Sequence, residues 1–223
     1  MLLHIVRHGQ THWNVQRRIQ GQLDSELDSQ GVAQAIERGQ DFSDMPLAAK
    51  YCSSSVRTRQ TIQNMLGQQA EDVVYRDGLK EVHWGIWQGR MWSEVESAYP
   101  AMVEAYHKAL PHFAVDGAET PEQTQQRGVQ AIEDILHNHT HEPADANVLV
   151  VSHGAIMKKI LGHYTAIALT RLHELPALPN CAHCIVDVQG NDRVVTHIAG
   201  EAIENTPWHS LTIGYALNCP WPA

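Results

Sequence analysis

The chain is poor in several features on which particular classes of protein depend. Its 223 residues include only four cysteines, too few for the disulfide framework of a small secreted domain. No apolar run has membrane-spanning length, and residues 1–4 lead directly into a predicted strand without the basic start of a signal peptide. We therefore expect reduced thiols, a cytoplasmic protein and no association with a membrane.

Positive charge is also scarce. The chain has 16 lysines and arginines against 25 aspartates and glutamates, which gives a formal net charge of −9 at pH 7 with neutral histidines. A protein that binds nucleic acid needs a basic face that displaces counterions from phosphates, so we expect no nucleic-acid partner. A small phosphorylated metabolite needs only a local cluster of cations and stays compatible with this composition.

Short apolar segments alternate with longer helical patterns along the chain. This alternation predicts an α/β fold, a three-layer α/β/α sandwich with a mostly parallel central sheet. The length suits a single domain over residues 1–223. The helical patterns cover residues 30–42 (after Ser29 as N-cap), 57–68, 121–138 (after Thr120 as N-cap) and 154–164.

Two segments stand apart from this alternation. Residues 91–119 predict a small helical cap insertion, which is interrupted at Pro100. Residues 201–223 form a C-terminal tail whose aromatic residues would pin it to the domain or line the interface of a possible homodimer. These aromatic residues are Trp208, Tyr215 and Trp221.

The most informative residues follow the first predicted strand. The apolar run Leu2–Val6 predicts a buried strand, so Arg7 and His8 lie at its carboxyl end, the edge where α/β sheets bind ligands. The permanently charged arginine can bind an anion, and a neutral imidazole can attack it. Gly9 lets the backbone approach the anion closely. This combination indicates phosphate chemistry.

Two further strand ends carry matching groups. Arg57 comes soon after the apolar stretch 47–52, and His153 with Gly154 directly follows the stretch 148–151. With these motifs in this order, the chain resembles the phosphoglycerate-mutase-like branch of the histidine phosphatase superfamily. In that family the Arg-His-Gly signature supplies a histidine nucleophile.

The resemblance implies a hydrolase of small-molecule phosphomonoesters. His8 would form a phosphohistidine that water later cleaves. Arg7, Arg57 and His153 would bind the phosphoryl group, and the amide of Gly154 would add the positive end of a helix. These cations do the work that a metal would do, so we expect neither a metal nor another cofactor.

The segment from Leu79 to Gly89 resembles the loop that carries the family's general acid. Glu81 is then the predicted proton donor to the leaving oxygen. Asn14 and Gln20 match positions that contact the phosphoryl group. The segment 117–120 resembles a Gly-Gly-Glu-Ser motif at the edge of the site, from which Ala118 departs.

Two alternative functions stay open. Residues 81–85 are similar to the Glu-Arg-His-Tyr-Gly of bisphosphoglycerate-dependent phosphoglycerate mutases, but Val82 replaces the arginine that binds the substrate carboxylate. A non-catalytic phosphate-binding scaffold would be favoured by the loss of a reacting group. Because His8, Glu81 and their partners are all present, phosphatase activity is the preferred interpretation.

Overall fold

The computed structural model describes residues 1–107 and 113–203, the side chain of His107 excepted, and confirms the predicted α/β fold. In the described residues the strands form a single sheet in the order β3-β2-β4-β1-β5-β6-β7. The neighbours among β3, β2, β4 and β1 are parallel, whereas β5, β6 and β7 add antiparallel pairings at one side. The strands are β1 (Leu2–Arg7), β2 (Leu47–Ser53), β3 (Val74–Arg76), β4 (Asn147–Ser152), β5 (His183–Gln189), β6 (Asp192–Ile198) and β7 (Glu201–Ala202).

Helices cover both faces of this sheet. One apolar core includes Ile62 and Leu66 of α3 with the sheet residues Val6 and Val151, and the other includes Ile132 of α6. Because each core lies on its own face, the three layers are those predicted. The α-helices are α1 (His12–Val15), α2 (Ser29–Gly39), α3 (Val56–Leu66), α4 (Trp92–Ala98), α5 (Pro100–His107), α6 (Pro121–Asn138) and α7 (Gly154–Tyr164).

Strand register explains why distant parts of the chain meet. Arg7 pairs with Ser152 across β1 and β4, and Cys52 pairs with Val151 across β2 and β4. These strands are parallel and end together, so the residues that follow them meet at one edge of the sheet. Arg7, Arg57 and His153 are delivered there by separate elements.

The helix starts differ in one detail from the prediction. Thr120 caps α6 as expected, since its side chain accepts from the Gln123 amide and Pro121 is the first helical residue. The N-cap of α2 is Asp28 rather than Ser29, because Asp28 Oδ1 accepts a 2.8 Å hydrogen bond from Gly31 N. The pattern after Gly39 continues as a 3₁₀ turn.

The segment predicted as a cap contains α4 and α5, with the break at Pro100. A third, smaller core lies beneath these helices and is built on Trp87, Val95 and Val103. Residues 108–112 of this segment, and the tail beyond residue 203 with its aromatic residues and Cys219, lie outside the described residues. The other three cysteines are free and buried. In the part of the chain that the structure describes, none of the helices combines the length and apolar character needed to cross a bilayer.

Candidate active site

His8 lies directly after β1 and is only 3% exposed. Its Nδ1 is 2.7 Å from the carbonyl oxygen of Gly9, an acceptor that requires the proton to be on Nδ1. Burial, and then the charges of Arg57 and Arg7, hold the pKa of His8 well below its usual value. The imidazole is therefore neutral, with a lone pair on Nε2.

Gly9 itself is required by packing. A Cβ at this position would lie 2.5 Å from the carbonyl oxygen of Gly31 in α2, so only a hydrogen fits between the two backbones. The Gly9 amide donates to Thr61 Oγ1 at 3.0 Å. The close approach that the sequence predicts for Gly9 is thus made to a neighbouring helix, and it fixes the carbonyl that orients His8.

Arg57, in the first turn of α3, is fully buried. Its Nη2 and Nη1 donate to the carbonyls of Gly21 and Leu23 at 2.7 and 2.8 Å, and its Nε donates to His153 Nδ1 at 3.1 Å. Burial lowers the pKa of Arg57 to about 10, so the guanidinium stays charged at neutral pH. It places a permanent positive charge next to His8.

Arg7 provides the second cation. Its Nη1 donates to the Leu178 carbonyl, whereas its Nε is buried without a hydrogen-bond partner among the described residues. The guanidinium packs on Gly154, where a Cβ would lie 3.2 Å from Nε. Burial lowers the pKa of Arg7, and the charge of Glu81 opposes this effect. A buried donor on a cation is expensive to leave unpaired, which points to an anionic ligand.

His153 follows β4 and is completely buried. Its Nδ1 accepts from Arg57, so its proton is on Nε2, which donates to Ser53 Oγ at 2.8 Å. Burial and the charge of Arg57 hold the pKa of His153 well below its usual value. The sequence predicts a donor to the phosphoryl group here. In this structure both ring nitrogens instead bind protein groups, and the ring orients Arg57.

The carboxylate of Glu81 lies on the first turn of α7. Oε2 accepts from Ala155 N at 3.0 Å, and Oε1 accepts from Ile156 N at 2.9 Å and from Val82 N at 3.0 Å. Glu81 therefore shares the edge of the sheet with Gly154, and it binds two amides of the helix terminus that the sequence associates with phosphate.

Asn14 and Gln20 lie in the segment between β1 and α2. Asn14 Oδ1 accepts from the amide and hydroxyl of Thr11, both at 3.1 Å, so Nδ2 is the group that remains for a ligand. Asn180 Nδ2 donates to the His8 carbonyl at 3.1 Å and lies 3.4 Å from Asn14 Oδ1. Gln20 is 8% exposed, and its Oε1 is buried without a hydrogen-bond partner among the described residues.

Several further residues, which the sequence did not predict, support the site. Ser53 accepts from His153, Asn180 supports His8, and Thr61 links Gly9 to the Arg57 carbonyl, to which it donates at 2.7 Å. Thr58 and Thr61 are wholly buried in α3, and such threonines within a helical pattern are a signal that could have indicated a buried polar network. Within residues 1–107 and 113–203, no three His, Cys, Asp or Glu side chains gather as metal ligands.

The family model of the histidine phosphatase superfamily (branch 1) matches residues 3–200. The chain belongs to this superfamily. The match includes the segment Arg7-His8-Gly9 at the end of β1.

Similar proteins include both phosphatases and mutases. A metal-independent phosphoserine phosphatase of Arabidopsis thaliana is 30% identical over 159 residues. These residues are 70% of this chain and 65% of the relative's length. The probable phosphoglycerate mutase GpmB of Erwinia tasmaniensis is 31% identical over 84% of this chain and 85% of its own length. The structure of YhfR from Bacillus stearothermophilus is 31% identical, with a TM-score of 0.81 over 90% of this chain and 96% of YhfR.

Because Arg7 Nε has no hydrogen-bond partner among the described residues, anion binding at Arg7 can be tested. We expect inorganic phosphate to raise the melting temperature of the wild type, and Arg7→Met to weaken phosphate binding by about 10- to 100-fold, the loss of one charge-assisted contact. Calorimetric titration with phosphate measures this. Arg59→Met, which removes an α3 cation that lies over the Tyr75 ring, is the control. Equal phosphate affinity in wild type and Arg7→Met would exclude Arg7 from the site.

Proposed function

We propose that this histidine phosphatase hydrolyses small-molecule phosphomonoesters through a phosphohistidine on His8, without a metal or other cofactor. The observation that supports the proposal best is the state of His8: buried, neutral, and hydrogen-bonded through Nδ1 to Gly9. The guanidinium of Arg57, which is fully buried, and that of Arg7, which is partly buried, flank it and can hold the equatorial oxygens of a phosphoryl group.

In the first step, the lone pair of His8 Nε2 attacks phosphorus. The P–N bond forms as the P–O ester bond breaks, and the departing oxygen takes a proton from Glu81. Among the described residues, Glu81 Oε2 accepts only the Ala155 amide, so this oxygen has a second lone pair that can carry the proton. The arginines neutralise charge on the transferring group.

In the second step, water attacks the phosphorus of the phosphohistidine. Glu81, now a carboxylate, accepts the proton of the water as the P–N bond breaks. Inorganic phosphate leaves, and His8 returns to the neutral form with its proton on Nδ1. The cycle therefore restores every group without an added cofactor. The Arabidopsis relative is a metal-independent phosphoserine phosphatase, and the likeness to it supports the same proposal.

A phosphoglycerate mutase is the second candidate, because of the likeness to GpmB. A mutase must bind the substrate carboxylate while the phosphoryl group moves. Val82, at the position of the mutase arginine, is 3% exposed and apolar, so it supplies no cation. This observation favours the phosphatase. A non-catalytic scaffold is disfavoured because the proposed nucleophile and acid are both present.

The phosphohistidine itself can be trapped. We expect brief exposure of the wild type to labelled substrate, in EDTA, to give an acid-labile, base-stable phosphoprotein. His8→Ala should give none and should lose turnover by at least about 10³-fold, since the nucleophile is gone. Melting curves of both proteins are the control for an intact fold. Substantial turnover by His8→Ala, or phosphoprotein that forms only after a metal is added, would contradict the mechanism.

The ranking of phosphatase over mutase is tested with both phosphoglycerates. Because Val82 cannot hold a carboxylate, we expect release of inorganic phosphate to be faster than interconversion of 2- and 3-phosphoglycerate, with bisphosphoglycerate present. Coupled assays of the two products in one reaction measure the ratio. Interconversion that outpaces release would reverse the ranking.

A further inference from the structure

Arg127, on α6, binds the loop that carries Glu81 at three points. Its Nη1 donates to the carbonyls of Gly78 at 2.9 Å and Lys80 at 2.8 Å, and its Nη2 lies 3.2 Å from the carbonyl of Glu81 itself. All three acceptors belong to backbone just before or at the proposed acid. A single guanidinium thus contacts three carbonyls of this stretch, beside the contacts that Gln22 makes with the Glu81 carbonyl and Ser152 with the Leu79 carbonyl.

Glu119 completes this contact from the other side. Its two oxygens accept from Arg127 Nε at 2.7 Å and Nη2 at 2.8 Å, the two-point geometry of a planar carboxylate and guanidinium. Glu119 Oε2 also accepts from His83 N at 2.8 Å, and Glu119 N donates to the His83 carbonyl at 2.9 Å. The pair therefore holds the chain on both sides of Glu81.

Glu119 is not available as a second acid. Burial raises its pKa, but hydrogen bonds from Arg127 and His83 outweigh this effect and hold the pKa below the usual value. The carboxylate stays charged and paired at neutral pH. Its chemistry is that of a fixed partner for Arg127.

The backbone between Lys80 and Gly85 belongs to no named helix or strand, so its path depends on such side-chain contacts and on its backbone pairing with Ala118 and Glu119. The carboxylate of Glu81 must reach the amides of α7 and, in the proposed reaction, the departing oxygen. A displacement of about 1 Å at a catalytic group can lower a rate by about 10²-fold. The contacts of Arg127 are the means by which α6 sets this position.

We propose that Arg127 and Glu119 are positioning residues that hold Glu81 in place to protonate the leaving oxygen. The proposal rests on the role of Glu81 in the proposed function. It differs from a role in stability alone, because misplacing the acid slows only those substrates whose leaving group needs a proton. Loss of folded protein slows all substrates equally.

The test compares two substrates by kcat/KM, which reports the steps up to departure of the alcohol. Glycerol phosphate has a poor leaving group, whereas p-nitrophenyl phosphate releases a phenolate that needs no acid. We expect Glu81→Gln to slow the first at least about tenfold more than the second, the low side of a general acid's contribution. Arg127→Met should show a gap of the same sign, and adding it to Glu81→Gln should widen the gap no further.

Arg193 offers a matched control. It contacts Glu133 of the same helix α6 at two points, 3.1 and 2.7 Å, and donates to the carbonyls of Gly190 and Asp192. Arg193→Met therefore removes an equivalent ion pair away from the Glu81 loop, and it should leave the ratio of the two substrates unchanged. If Arg127→Met does not fold, Glu119→Gln, which keeps the shape and removes the charge, decides the question with the same expected gap.

Three results would overturn the proposal. Equal losses on both substrates in the Arg127 and Glu119 variants, while Glu81→Gln shows the gap, would leave the acid assignment standing and make the pair merely structural. A double variant whose gap is the product of the single gaps would show that Arg127 acts independently of Glu81. No gap in Glu81→Gln would remove the acid assignment and the positioning role together, while the trapping of phosphohistidine tests His8 separately.

Discussion

The hydrogen bond from His8 Nδ1 to the Gly9 carbonyl decides the chemistry of the site, because it assigns the proton to one nitrogen and the lone pair to the other. Its geometry depends on packing, since Gly9 reaches its place only by lying against Gly31 without a Cβ between them. The protonation state of His8 depends on burial and on charge. Burial and the charges of Arg57 and Arg7 keep the pKa of His8 low, so the ring enters the reaction neutral.

The same cations serve two purposes that support one another. A buried guanidinium repels a proton from a neighbouring imidazole, and it attracts a phosphoryl oxygen to the same place. Arg57 is held by the carbonyls of Gly21 and Leu23 and by His153, whereas the Nε donor of Arg7 has no partner within residues 1–107 and 113–203. Arg57 is thus fixed in position by the protein. Arg7 offers an anionic ligand a hydrogen-bond donor that the described residues leave unused.

The three-layer fold and the convergence of Arg7, Arg57 and His153 could be predicted because they follow from local pattern. Apolar runs mark the strands, and parallel strands bring their carboxyl ends to one edge. Contacts between distant loops could not be predicted in this way. The hydrogen bonds of the Glu81 carboxylate with the amides of α7 depend on distances between elements that no periodicity encodes. The same holds for the contact of Arg127 with the Glu81 carbonyl. The hydrogen bond of His153 to Ser53 escaped for the same reason, since it joins the ends of two strands.

The proposed reaction requires that His8 is neutral, with its proton on Nδ1. ¹⁵N NMR of histidine-labelled protein measures this directly, with His8→Ala used to assign the signals. We predict that the His8 signals keep the pattern of a neutral ring protonated at Nδ1 from pH 8 down past the ordinary histidine pKa of about 6.5. A titration of His8 near pH 6.5, or a ring protonated at Nε2, would contradict the account.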